Sequence, residues 1–150
     1  MRDLAGHPEF CAVNTATLGF QAPITGTIEA IARHGFAGIA PWRREVEGHD
    51  VAEIAKHIRN AGLKVTGYCR STYIPANSRA GFNANIDDNK RAIDDAAVLG
   101  AHCFVMVVGG LPGGSKDIVA ARAQIAEASA MLLEYGKASG VRIALEPLHP

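Results

Sequence analysis

The sequence predicts an α/β fold built on parallel strands, and three observations carry that expectation. A helical stretch, a glycine and an apolar strand recur four times, as "IARHGFAGIA", "IRNAGLKVTGYC", "AAVLGAHCFVMVV" and "GKASGVRIALE". The apolar runs are short and nearly unbroken, as in strands covered on both faces, where polar and apolar residues no longer alternate. Strands and helices also alternate strictly, which favours parallel pairing through right-handed crossovers.

The elements follow in order. "CAVNTATL", near residues 11–17, opens the series as a strand with no helix before it. A helix near 25–34 carries Ile28, Ile31 and Ala32 at helical spacing, and a strand near 36–41 follows. The next helix, near 50–61, starts at the capping residue Asp50 and carries Val51, Ile54, Ala55 and Ile58 on one face. Then come a strand near 63–69, a helix near 85–99, a strand near 103–108, a helix near 116–138 capped by Ser115, and a strand near 142–146. Gly35, Gly62, Gly100 and Gly140 each fall where a helix ends, and there a left-handed residue satisfies the last carbonyls.

Five strands and four helices in this order suit either an open doubly wound sheet or part of a (β/α)8 barrel. The turn after the first strand, "TATLGFQAP", lacks the GxGxxG of a dinucleotide site. "GGLPGGSK" lacks the spacing of a P-loop and reads as a flexible loop before a capped helix, with phosphate binding as the alternative.

Composition narrows the function classes. Hydrophobic residues make up 48% of the 150, enough for one domain with a real core. Fifteen basic residues balance fifteen acidic ones, so charge gives no reason to expect nucleic acid or an anionic membrane as partner. No apolar run approaches the length of a spanning helix, and "MRDLAGHPEF" lacks the apolar core of a signal peptide. A cytoplasmic protein is expected. Cys11, Cys69 and Cys103 each lie in an apolar run without CxxC spacing, and are expected to be buried, reduced thiols.

In both architectures ligands meet the C-terminal ends of the strands. The sequence places Asn14, Thr15 and Thr17 there after strand one, and Pro41, Trp42, Arg43 and Arg44 after strand two. Tyr68, Arg70, Ser71 and Tyr73 follow strand three, and Glu146 and His149 follow strand five. Such a rim suits a polyhydroxylated ligand, with Trp42 or Tyr68 against an apolar sugar face and Asn14, Arg43 and Arg70 as hydrogen-bond donors. Plainer roles stand beside these: Trp42 as a plug, Tyr68 as core packing, and only one of the adjacent Arg43 and Arg44 facing inward. Asp87, Asp88, Asp94 and Asp95 read as a helix surface, with Asp87 and Arg91 spaced to pair.

Glu146 directly continues a buried strand, and a buried carboxylate needs a partner. That partner is either an arginine or a divalent cation, in which case Glu146 is a metal ligand. His149, three residues on, suits a ligand or a proton carrier in the same pocket.

The run "IALEPLHP", the "LGA" before strand four and the opening "NTATL" resemble the xylose isomerase-like TIM barrels, the sugar phosphate isomerase/epimerase superfamily. The resemblance implies a (β/α)8 TIM barrel, of which residues 1–150 hold about five strands and four helices as the N-terminal part of a single domain. It also implies one divalent metal ion (Mn, Mg, Co or Zn), with Glu146 matching the ligand that ends strand five. The implied activity is sugar, keto-sugar or sugar phosphate isomerisation or epimerisation, by proton transfer through an enediolate. Whole barrels need about 250 residues, so the stretch alone is expected to lack the later ligands, to be inactive, and to expose an unclosed sheet edge. The histidine of the ExxH resembles the metal-dependent C-glycoside deglycosidases, which implies a 3-keto-glycoside lyase as the alternative activity. An inactive barrel serving as an interaction module comes third. Barrels of this kind often pair, so a homo-oligomer is compatible with the resemblance.

Overall fold

A computed structural model describes residues 4–19 and 23–146. The chain forms two compact units, residues 1–69 with 98–102, and residues 70–97 with 103–150.

The first unit holds strands β1 (Ala12–Asn14), β2 (Gly38–Ala40), β3 (Lys64–Val65) and β4 (Tyr68–Cys69), with helices α1 (Ile24–Arg33) and α2 (Val51–Asn60). β1, β2 and β3 pair in parallel and in sequence order, with Val13 opposite Ile39 and Ile39 opposite Val65. Ile24, Ile28 and Ile31 of α1 are buried, as are Ile54, Ala55 and Ile58 of α2. Fully burying an isoleucine side chain stabilises by about 1.5–3 kcal/mol, so these stripes fix which faces the helices turn inward. Asp50 caps α2 as expected, accepting from Ala52 N (3.0 Å) and Glu53 N (3.2 Å).

The single strand expected near 63–69 is interrupted. Thr66 N donates to Ile39 O (2.9 Å), and the next ladder bond is Cys69 N to Pro41 O (3.2 Å). Three residues on this strand thus span two on β2, which is a β-bulge separating β3 from β4. The first strand is also shorter than expected: after Asn14 the chain tightens into a 3₁₀ turn, Thr15–Leu18.

The second unit holds helices α3 (Arg79–Leu99) and α4 (Ile118–Ala138) and the parallel strands β5 (Phe104–Val107) and β6 (Ile143–Glu146). α3 begins six residues earlier than expected. Ser78 caps it, accepting from Gly81 N at 3.1 Å, so asparagines continue a helix already started. α4 is capped by Asp117, which accepts from Ala120 N (2.9 Å), while the expected cap Ser115 accepts from Asp117 N instead. α4 comes very close to β6, since a Cβ at Gly136 would lie 2.8 Å from Ile143 Cδ1.

Polar contacts join the helices of this unit. Tyr135 donates to Asp94 (3.0 Å), and that hydrogen bond pushes the phenol pKa up. Arg79 holds Glu127 at 2.6 and 3.0 Å, and the hydrogen bond lowers the Glu127 carboxyl below its usual range. The expected Asp87–Arg91 pairing is replaced by i,i+3 pairs, Asp88 with Arg91 (2.8 Å) and Asp87 with Lys90 (3.7 Å). No helix among the described residues is long and apolar enough to cross a membrane. All three cysteines are free thiols, but only Cys69 is buried. Cys11 and Cys103 are half-buried because they precede their strands rather than lying within them.

The loop after β4 is held by side chains of α3 and α4. Asn89 of α3, wholly buried, accepts from Thr72 N (2.9 Å) and donates to Thr72 O (3.0 Å) and Asn85 O (2.9 Å). Asn85 donates to Ile74 O (3.1 Å), and Gln124 of α4 binds both Ala76 N (2.8 Å) and Ala76 O (3.0 Å). Replacing Asn89 by alanine removes the partner of the half-buried amide and carbonyl of Thr72 and leaves a hole at a wholly buried position, at an expected cost of about 2–4 kcal/mol. Urea unfolding of Asn89→Ala beside the parent protein checks this, and an unchanged midpoint contradicts it.

Candidate functional site

In the first unit the strand ends bring a carboxylate to the rim that sequence reasoning missed. Glu45, only 4% exposed, lies in the 3₁₀ turn Arg43–Glu45 that follows β2. Its Oε2 accepts from the hydroxyl of buried Thr15 and from the backbone N of Trp42 (3.2 Å). Trp42 N also donates to Thr15 Oγ1 (3.0 Å). The loops after β1 and β2 are therefore joined by a carboxylate, a hydroxyl and one amide. The second carboxylate oxygen, Oε1, is buried without a hydrogen bond, with Arg44 Nε at 3.9 Å. The signal for Glu45 was its place three residues after Trp42, the reach of an N-terminal capping carboxylate.

The residues expected at this rim divide by role. Asn14 caps the 3₁₀ turn after β1, its side chain accepting from Ala16 N at 3.1 Å, and is exposed. Trp42 is half-buried, with the Arg44 guanidinium 5.2 Å from its ring centroid and its indole N–H buried without a hydrogen bond. Arg43 and Arg44 diverge as anticipated: Arg43 is half-buried and ion-paired to Glu47 at 2.6 Å, whereas Arg44 is exposed. Tyr68 is wholly buried.

In the second unit, Arg70 is half-buried and stacks on exposed Tyr73, its guanidinium carbon 4.6 Å from the ring centroid. Glu146 ends β6, as expected. Its surroundings are not those expected, however. β6 grows more exposed along its length, Leu145 is 52% exposed, and Glu146 itself is exposed. β6 pairs with β5 along one edge, and no strand among the described residues covers the other. The Glu146 carboxylate makes no ion pair or hydrogen bond among the described residues, so the arginine partner considered from sequence is absent there. Among the described residues no three metal-ligating side chains converge. An unengaged carboxylate at a strand end nonetheless fits the hard oxygen donor that Mg, Mn or Zn accepts. His149 lies outside the described residues.

Comparison with known proteins places this geometry in context. Residues 28–150 match the family model of the xylose isomerase-like TIM barrel. Protein SMc04130 from Sinorhizobium meliloti 1021 is 44% identical, with a TM-score of 0.90, over 96% of this chain and 52% of that one. D-psicose 3-epimerase from Clostridium cellulolyticum H10, solved with D-tagatose, is 14% identical with a TM-score of 0.78, over 92% of this chain and 52% of its own. The IolI protein, solved with a zinc atom, is 19% identical with a TM-score of 0.77, over 91% and 51%. The last two likenesses speak to the fold alone. The chain spans about half the length of each of these structures, at 51–52%. No curated protein matches the sequence.

Removing the Glu45 carboxylate leaves the Thr15 hydroxyl without its acceptor and Trp42 N with Thr15 Oγ1 alone. Glu45→Ala is expected to cost about 1–3 kcal/mol and to shift the emission of Trp42, the one tryptophan of the sequence. Fluorescence-monitored urea unfolding reads both quantities; a variant matching the parent in each refutes the link.

Proposed function

Because the chain belongs to the xylose isomerase-like TIM barrel family, we propose that it is part of a divalent-metal-dependent isomerase or epimerase acting on a sugar, keto-sugar or sugar phosphate. The observation that carries this reading is Glu146: a carboxylate ending the last described strand, exposed, and engaged by no other described group.

In this reading Glu146 holds the metal. When bound, the metal supplies a Lewis acid that polarises a carbonyl or hydroxyl of the sugar. His149 moves a proton at the carbon beside that carbonyl, within the usual scope of general acid–base catalysis. Trp42 offers a flat apolar surface for a sugar face, and its position is held through Glu45 and Thr15. Asn14, Arg43 and Arg70 are proposed to contact the hydroxyl-rich substrate, whereas Tyr68, wholly buried, takes the core-packing role. Residues 1–150 are the N-terminal part of one barrel domain in this proposal, and the further metal ligands come from strands that the matched barrels carry beyond the shared half. The psicose epimerase solved with D-tagatose and the zinc-bearing IolI protein supply the analogy for substrate class and metal.

The decisive measurement is metal content beside turnover in the intact protein, on keto-sugars and on 3-keto-glycosides. Glu146→Gln is expected to lose metal and activity together, since a neutral amide is a poorer ligand. His149→Ala is expected to keep the metal and lose on the order of 10²–10⁴-fold in turnover. Full metal occupancy in Glu146→Gln removes Glu146 from the ligand set. Turnover confined to 3-keto-glycosides, with elimination of the aglycone, replaces the isomerase reading with the lyase one.

A further inference from the structure

We propose that Arg70 is an anion-recognition residue, and that the sugar bound at this rim carries a phosphate or carboxylate group. The inference rests on the sugar-site reading above and narrows its substrate class.

Three cations among the described residues are half-buried: Arg43, Arg70 and Lys90. Two of them have a carboxylate, Glu47 at 2.6 Å from Arg43 and Asp87 at 3.7 Å from Lys90. Arg70 has neither an ion pair nor a hydrogen bond among the described residues, only the ring of Tyr73 at 4.6 Å. A guanidinium that has given up part of its hydration without gaining an anion is incompletely compensated. Stacking engages its flat face and leaves the N–H donors at its edge, arranged as a fork that fits two oxygens of one carboxylate or phosphate. A neutral hydroxyl offers no such pair of charged oxygens.

The platform beneath Arg70 is fixed before any ligand arrives. Tyr73 packs against the backbone at Gly109, where an added Cβ would lie 2.6 Å from Tyr73 Cβ. Gly109 also has φ of +88°, a conformation that other residues rarely adopt. On either side of Tyr73, Asn89 grips both backbone groups of Thr72, and Asn85 binds the carbonyl of Ile74. A donor fork held in place by its neighbours loses little freedom on binding, and that raises affinity and selectivity.

The test is calorimetric titration of the intact protein with D-fructose, D-fructose 6-phosphate and D-fructuronate, which differ in charge and in its source. At least one anionic sugar is expected to bind about tenfold or more tightly than fructose, as a charge-assisted hydrogen bond allows. Arg70→Gln is expected to weaken that anionic sugar about 10–100-fold, and fructose by a clearly smaller factor. Preference for fructose 6-phosphate assigns a phosphate, preference for fructuronate a carboxylate, and either supports the proposal. Equal binding of all three sugars overturns it, as does an equal loss of all three in Arg70→Gln. Arg70→Lys keeps the charge without the fork and is expected to fall between parent and Arg70→Gln. If no sugar binds, the sugar reading fails, and inorganic phosphate then decides the anion claim alone. Phosphate binding abolished in Arg70→Gln sustains that claim, and phosphate binding absent or unaltered ends it.

Discussion

Where a parallel strand leaves its ladder, the amides and carbonyls of the next residues lose their partners, and a buried backbone group cannot go unpaired cheaply. In each of the two units the strand ends are organised around replacing them. After β2 the replacement is a carboxylate and a hydroxyl, Glu45 and Thr15, which take the amide of Trp42 between them. After β4 it is a set of side-chain amides, Asn85, Asn89 and Gln124, which stand in for the missing strand along Thr72–Ala76. In both places the side chain comes from a helix or turn following a strand. The rim is therefore held from its own scaffold and does not rely on a ligand for its shape.

This arrangement separates the residues that build the rim from those left over to bind. Thr15 and Glu45 spend their hydrogen bonds on each other and on backbone, Asn85, Asn89 and Gln124 spend theirs on backbone, and Asn14 spends one on its own turn. Arg43 is committed to Glu47. Arg70 and Glu146 are not so committed among the described residues. One carries positive and the other negative charge.

The regular part of this architecture was legible in the sequence because it depends on local signals. Apolar runs mark the strands, and the glycines at 35, 62, 100 and 140 all have positive φ where helices end. What was illegible depends on partners far along the chain. Glu45 sits in "RREVE" and reads as one solvated charge among several; its burial is decided by Thr15, thirty residues earlier. The bulge after β3 changes no composition, only the count of residues against β2. Asn83, Asn85 and Asn89 lower the helix propensity of α3, yet two of the three are there to hold the preceding loop. Glu146 was placed correctly at its strand end. Its exposure was missed because burial of a strand is set by what covers it, not by its own apolar residues.

The contact between Tyr73 and Gly109 ties together two positions 36 residues apart in the chain. Neither can drift freely while the other stays. A side chain at 109 must meet both an unfavourable backbone angle and the β-carbon of residue 73, which every residue but glycine would carry there. The two sites are coupled through backbone and β-carbon, so the coupling outlasts any change of side chain at 73 that keeps a β-carbon. Glycine at 109 is thus demanded by a distance and a backbone angle, whatever the chemistry of the side chain opposite it.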